Sequence, residues 1–184
     1  PLRAEVERCI RHTYAQHYGA LVPAFAPVLL ALRESGQVLA AAGYRSAGDG
    51  PLFLESYLDA PVDVLIAVQT GQPVARARIA EVGHLAAPHG GEGRRLIQLL
   101  GPLLVHEGFD WVVSTVTQEL QLMLARLGLA TLVLGPARAD ALGDQTQYWG
   151  SYYHHAPVVL AIHLRSSLRQ FLARRAPARA GEAA

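Results

Sequence analysis

Val74-Ala75-Arg76-Ala77-Arg78-Ile79-Ala80-Glu81-Val82-Gly83-His84-Leu85-Ala86 runs into Pro88-His89-Gly90-Gly91-Glu92-Gly93, and that into Arg94-Arg95-Leu96-Ile97-Gln98-Leu99-Leu100-Gly101-Pro102-Leu103-Leu104-Val105-His106. Arg76 and Arg78 alternate with Ala75, Ala77 and Ile79, which predicts a strand over 74–86. The leucines and Ile97 then recur at helical spacing over 94–106, and Gly108 suits the stop. Between them, the glycines of Pro88–Gly93 allow positive φ and let a ligand approach without Cβ interference. A helix that follows offers unpaired N–H groups and the positive end of its dipole, which together suit phosphate. Arg94 and Arg95 oppose that dipole in the first turn, so they read either as partners of phosphate oxygens or as solvated surface arginines. No Gly-Lys-Ser/Thr follows, so this is not a nucleoside-triphosphate loop, and the spacing is not that of a dinucleotide fingerprint.

Outward from this unit, Val6, Ile10, Tyr14 and Tyr18 step by four and predict an opening helix that Gly19 ends. Val28–Glu34 and Val38–Ala47, separated by Ser35-Gly36-Gln37, read as a hairpin. A loop at 46–51, a short helix over 61–70 and further elements at 111–117 (strand), 119–127 (helix), 130–134 (strand) and 158–164 (strand) follow. Strands alternating with helices in the second half predict an α/β (α+β) chain with a mixed sheet covered on both faces. The expected organisation is one domain over 1–175 and a disordered tail over 176–184.

The 184 residues carry a formal net charge of +1, which removes the simplest electrostatic case for a nucleic-acid binder. All sixteen basic residues are arginine, so a cation meeting an anionic ligand is a planar fork of donors or a histidine. Cys9 stands alone and excludes an intrachain disulfide. Ala20–Leu32 is the longest apolar stretch; Pro23 and Pro27 break it, and it is too short to span a bilayer. No secretory pattern opens the chain, so the expectation is a cytoplasmic protein without stable membrane insertion. The eight histidines show no HExxH or Cys/His spacing, so no metal site is expected.

A strand, a turn and a helix that grip a pyrophosphate resemble the acyl-coenzyme A site of the GNAT acyltransferases, and Gly91-Glu92-Gly93 matches the second half of that family's turn, with Pro88 where Gln or Arg is usual. Four later or flanking segments carry a closer resemblance: Glu81-Val82-Gly83-His84-Leu85-Ala86, Trp111-Val112-Val113-Ser114-Thr115-Val116-Thr117, Arg126-Leu127-Gly128-Leu129 and Tyr148-Trp149-Gly150-Ser151-Tyr152-Tyr153. With His17–Pro23 and Pro51–Leu58 upstream, the chain from about Ile10 to Leu164 resembles the thermostable hemolysin family. The resemblance implies a GNAT-like, mostly antiparallel central sheet with helices on both faces, distantly similar to acyl-homoserine-lactone synthases. It also implies an N-acyltransferase that moves an acyl group from acyl-CoA, or from the phosphopantetheine of an acyl carrier protein, to a small amine or amino-acid-like acceptor. The family's name supplies the alternative, a membrane-active lytic protein without transferase activity, for which the segment 166–175 is the amphipathic candidate.

Such a transfer needs a deprotonated amine, a polarised carbonyl and a protonated leaving thiolate. Glu81 is the candidate base, or a structural partner of Arg76 or Arg78; His84 and Tyr152 complete the expected catalytic set. Gly83 and Leu85 on the strand, with Gly90, Gly91, Gly93, Arg94 and Arg95, are the expected donor-binding residues. Arg45, Glu55, Thr115 and Trp149 are expected to bind substrate. The tyrosine that many GNAT enzymes use as acid is replaced by Leu124, which leaves Tyr152, Tyr153 or water for that task.

Overall fold

The computed structural model describes residues 2–175. Helix α1 covers Leu2–Tyr18 and ends at Gly19, whose φ is +63°. It lays Val6 and Ile10 onto the sheet, as the four-residue spacing requires. Strands β1 (Val28–Glu34) and β2 (Gln37–Ser46) form the expected hairpin. Ser35 and Gly36 both take positive φ, the backbone that matches a two-residue hairpin to strand twist. Helix α2 is Val62–Thr70, with Pro61 just before its first turn.

The remaining elements are β3 (Ile79–Ala86), α3 (Gly90–His106), β4 (Trp111–Val116), α4 (Gln118–Arg126), β5 (Leu132–Pro136), β6 (Val158–His163) and α5 (Leu164–Arg175). The strands form one sheet in the order β1-β2-β3-β4-β6-β5. Only β3 and β4 run parallel; every other neighbouring pair is antiparallel. This is the mixed, mostly antiparallel sheet that the sequence predicts.

Alternation along the strands divides the core in two. Ala41, Ile79, Trp111, Val113, Val159 and Ala161 face α1, α2 and the turn carrying Leu54. Ala40, Ala42, Ala80, Val112, Leu160 and Ile162 face α3, α4 and the start of α5. Helices therefore cover both faces.

Two local expectations are corrected, and one segment is added. The strand does not begin at Val74, because Arg76–Arg78 make one 3-10 turn. That turn delivers the Arg76 guanidinium to Glu55 and Asp63, and to the Ala47 and Gly50 carbonyls. The glycine segment is not a loop ahead of the helix: Gly90–Gly93 are the first turn of α3, and neither Gly91 nor Gly93 uses positive φ. Finally, the segment between β5 and β6 is ordered into the 3-10 stretches Ala139–Trp149 and Tyr152–His155. The tail expected over 176–184 lies outside the described residues.

Candidate active site

Strand β3 pairs with β4 only at Ile79–Trp111, Ala80–Val112 and Glu81–Val113. Beyond Glu81 the two parallel strands part. The Ser114 hydroxyl donates to the Val82 carbonyl at 2.7 Å at the apex of the gap. On its other side β3 carries a bulge, since Ala41 pairs with Ala86 while Gly43 pairs with Gly83. The extra residue resets the alternation. His84, which regular pleating would aim at α3, falls instead on the same face as Glu81 and Gly83, at φ +54°. Gly43, opposite the bulge, has no room for a side chain: a Cβ there would stand 2.9 Å from Ala26 and 3.1 Å from the His84 ring.

A cavity of about 260 Å³ opens on that face at the gap. It is lined by Arg45 from β2, Glu81, Gly83 and His84 from β3, and Thr115 from β4, under an aromatic wall that includes Phe53, Trp149 and Tyr152. Sequence reasoning therefore placed seven of its residues together: Arg45, Glu81, Gly83, His84, Thr115, Trp149 and Tyr152. It missed the others, Tyr14, Phe53, Tyr57 and Gln145 among them. The step of Tyr14 and Tyr18 on one face of α1 was the available signal for the first of these. Phe53, Tyr57 and Gln145 sit on irregular turns with no periodic signature.

Glu81 pairs with Arg45 rather than with Arg76 or Arg78, at 3.5 Å between Arg45 Nε and Glu81 Oε2. Both carboxylate oxygens also accept backbone N–H groups, from Phe53 at 3.1 Å and Leu54 at 3.0 Å. Burial raises the Glu81 pKa, and the two N–H groups and Arg45 only partly offset it. His84 accepts the Ala26 N–H on Nε2 at 3.2 Å, which puts the proton of the neutral ring on Nδ1. Burial, with the Arg45 charge beside it, lowers the His84 pKa to about 4. Tyr152 donates to the Thr115 carbonyl at 3.3 Å, and Tyr57 and Tyr153 share a hydrogen bond of 2.6 Å. Burial pushes the Tyr57 and Tyr152 phenols up, so both stay protonated at neutral pH.

The sheet's opposite face holds a second cavity at the same gap, of about 120 Å³ and almost wholly apolar. Leu85 belongs here, not with Gly83, because the bulge sends it to this side; Leu124 and Leu127 of the α4 region line it too. Leu124 is buried and places no acid near the gap.

The other expected residues stand elsewhere. Glu55 is outside the polar cavity: its carboxylate accepts the Leu52 and Val62 N–H groups and two bonds from Arg76, so it ties the 53–57 turn to α2. Gly90, Gly91 and Gly93 lie in the first turn of α3, and Arg94 and Arg95 follow in its second. His89 is the N-cap and its side chain makes no capping bond. A Cβ at Gly91 would meet nothing within 4 Å. Arg94 and Arg95 are exposed, and Arg95 approaches Glu34 at 3.7 Å. Among the described residues, no three His, Cys, Asp or Glu side chains group together as metal ligands.

The thermostable hemolysin family model matches residues 1–168. This chain belongs to the thermostable hemolysin family. No curated protein matches it. Solved structures place this hemolysin-family chain among GNAT-like folds. It is similar to the acyl-homoserine-lactone synthase LasI at 14% identity and TM-score 0.59, over 89% of this chain and 84% of LasI. It is similar to FeeM, an N-acyl amino acid synthase from uncultured soil microbes, at 17% identity and TM-score 0.60, over 91% and 94%. The CoA-dependent acyl-homoserine lactone synthase BjaI, solved with SAM and isopentyl-CoA, is similar at 12% identity and TM-score 0.58, over 94% and 82%. These likenesses carry the fold. Within this hemolysin family member, no described helix is long and apolar enough to cross a membrane.

Proposed function

We propose that this thermostable hemolysin family member is an N-acyltransferase, moving an acyl group from acyl-CoA or an acyl carrier protein to a small amine or amino-acid-like acceptor. One observation carries the reading: β3 and β4 part at Glu81–Val113, with a polar cavity on one face of the gap and an apolar one on the other. A thioester seated in the gap has its carbonyl beside the bulge, its acyl chain in the apolar cavity and the attacking amine in the polar one. The chain's likeness to acyl-transferring synthases supports the same reading.

In the reaction a C–N bond forms, the C–S bond breaks, the amine gives up a proton and the thiolate gains one. Glu81 is the carboxylate that lines the polar cavity, and its raised pKa suits it to take that proton through the lone pairs its backbone bonds leave free. Neutral His84 has its Nε2 committed to Ala26, so its role is to donate from Nδ1 and to hold the bulge. We assign the acid that protonates the leaving sulfur to Tyr152, whose hydroxyl donates to the Thr115 carbonyl at the gap. The uncapped first turn of α3, with open space at Gly91, takes the donor's phosphate on its amides. Arg94 and Arg95 add charge at the rim.

The test is a melting-temperature titration with acyl-CoA and acyl carrier protein, alongside mass spectrometry of products formed with mixed amines. A donor-dependent rise is expected. Gly91→Asp should fold, since its Cβ meets nothing, and should lose the rise because a carboxylate replaces open space where phosphate docks. No rise with either donor class, and no acylated product, rejects the reading.

A further inference from the structure

We infer that the polar cavity takes its acceptor by a carboxylate seated on Arg45, displacing Glu81 from that arginine, so that the acceptor is a zwitterionic amino acid with an aromatic or bulky apolar side chain. The amine half of this statement rests on the transferase reading; the carboxylate half does not.

Among the described residues, the other half-buried arginine has its donors filled: Arg76 donates to Glu55, Asp63 and the Ala47 and Gly50 carbonyls. Arg45 is different. Among the described residues its guanidinium makes no hydrogen bond, and its one ionic contact, with Glu81, is 3.5 Å long. A guanidinium carries five N–H donors in a planar fork, which matches the two oxygens of a carboxylate. Here that fork stands in the wall of a cavity that also carries Phe53, Trp149 and Tyr152.

Glu81 can give up Arg45 because other donors hold it. Phe53 and Leu54 each supply a backbone N–H to its carboxylate, at 3.1 and 3.0 Å. Arg45 and Glu81 are also direct cross-strand partners, so their charges face the cavity side by side. A zwitterion complements that pair in reverse: its carboxylate meets Arg45 and its ammonium meets Glu81. The amine is thereby delivered to the group that deprotonates it. The ligand's side chain then lies against Phe53 and Trp149, whose rings are 5.9 Å apart and tilted by 48°.

Calorimetric titration of the protein with L-phenylalanine, 3-phenylpropanoate and 2-phenylethylamine tests this. Both carboxylates should bind more tightly than 2-phenylethylamine by about tenfold or more. Arg45→Gln should abolish that preference, and Arg45→Lys, which keeps the charge without the fork, should reduce it. Glu81→Gln should tighten 3-phenylpropanoate, since the competing charge is gone, and weaken L-phenylalanine relative to it; the variant's thermal melt checks that it is folded. Equal binding of 2-phenylethylamine, a preference that survives Arg45→Gln, weaker 3-phenylpropanoate binding by folded Glu81→Gln, or no binding of any probe overturns the inference. Acylation of 2-phenylethylamine as readily as L-phenylalanine overturns it while leaving the transferase reading intact. Carboxylate-selective binding without any acyl transfer does the reverse.

Discussion

Ser114 gives its hydroxyl hydrogen to the carbonyl of Val82 at 2.7 Å, across the point where two parallel strands stop pairing. A gap between strands exposes main-chain groups that a continuous sheet would satisfy. This side chain closes off one of them and so sets where the gap begins. Ser114→Ala should therefore destabilise the protein by about 1 kcal/mol, because a half-buried carbonyl loses its partner. Urea unfolding measures it, and acyl-transfer activity should fall in parallel.

The His84 ring is neutral in the fold and carries a depressed pKa of about 4, against an ordinary value of 6.5. Between these values the unfolded chain binds more protons than the folded one, so stability rises with pH across that window. The contribution is complete above the unfolded pKa and is lost as pH falls through the folded one. Its ceiling is about 3 kcal/mol. Glu81, with a raised pKa, slopes the opposite way, so the measurement is a difference: unfolding free energies of wild type and His84→Gln from pH 4 to 7. The variant should lack the His84 rise.

Gly150 sits at φ +53°, and a Cβ there would run into the carbonyl oxygen of Tyr18. That carbonyl accepts the Ser151 N–H at 2.8 Å, and Leu21 donates back to the Tyr148 carbonyl. The end of α1 is thus clasped to the segment carrying Trp149 and Tyr152. Gly150→Ala should cost about 2 kcal/mol or more in thermal unfolding, and should weaken ligands of the polar cavity by loosening its aromatic wall.

Leu124 lines the apolar cavity where a catalytic tyrosine would otherwise be expected. Leu124→Trp should fill space there and move donor preference toward shorter acyl chains. Each methylene that no longer fits should cost about 0.8 kcal/mol, roughly fourfold in kcat/KM. A chain-length series of donors reads this; an unchanged profile would mean that the acyl group does not enter the cavity.

Arg76 ties together Glu55, Asp63 and two loop carbonyls. Arg76→Ala leaves two carboxylates side by side without their cation, and should destabilise the fold by about 2–4 kcal/mol in urea. Glu55→Gln should be milder and should leave acceptor selectivity unchanged, since Glu55 stands outside the cavity.

What the chain settles locally was legible from its residues. The four-residue step of Val6, Ile10, Tyr14 and Tyr18 set α1, the Ser35-Gly36 pair set the hairpin, and β-branched runs set β4 and β6. Their signals are short-range periodicities, and the physics that reads them, burial of one face, is local too. The resemblance in ordered motifs likewise pointed to about half of the residues that line the polar cavity.

Tertiary structure decided the rest, through contacts between residues far apart in the chain. Regular alternation from Glu81 puts His84 against α3; pairing with β2 forces one extra residue into β3 and turns His84 into the polar cavity. The parting of β3 from β4 has no signature in either strand, because both remain good strands and only their spacing changes. Arg76 and Arg78 alternate like strand residues, yet carboxylates on other elements draw Arg76 into a turn. Periodicity specifies which face of an element is buried, whereas register and charge pairing across the sheet specify what that face meets.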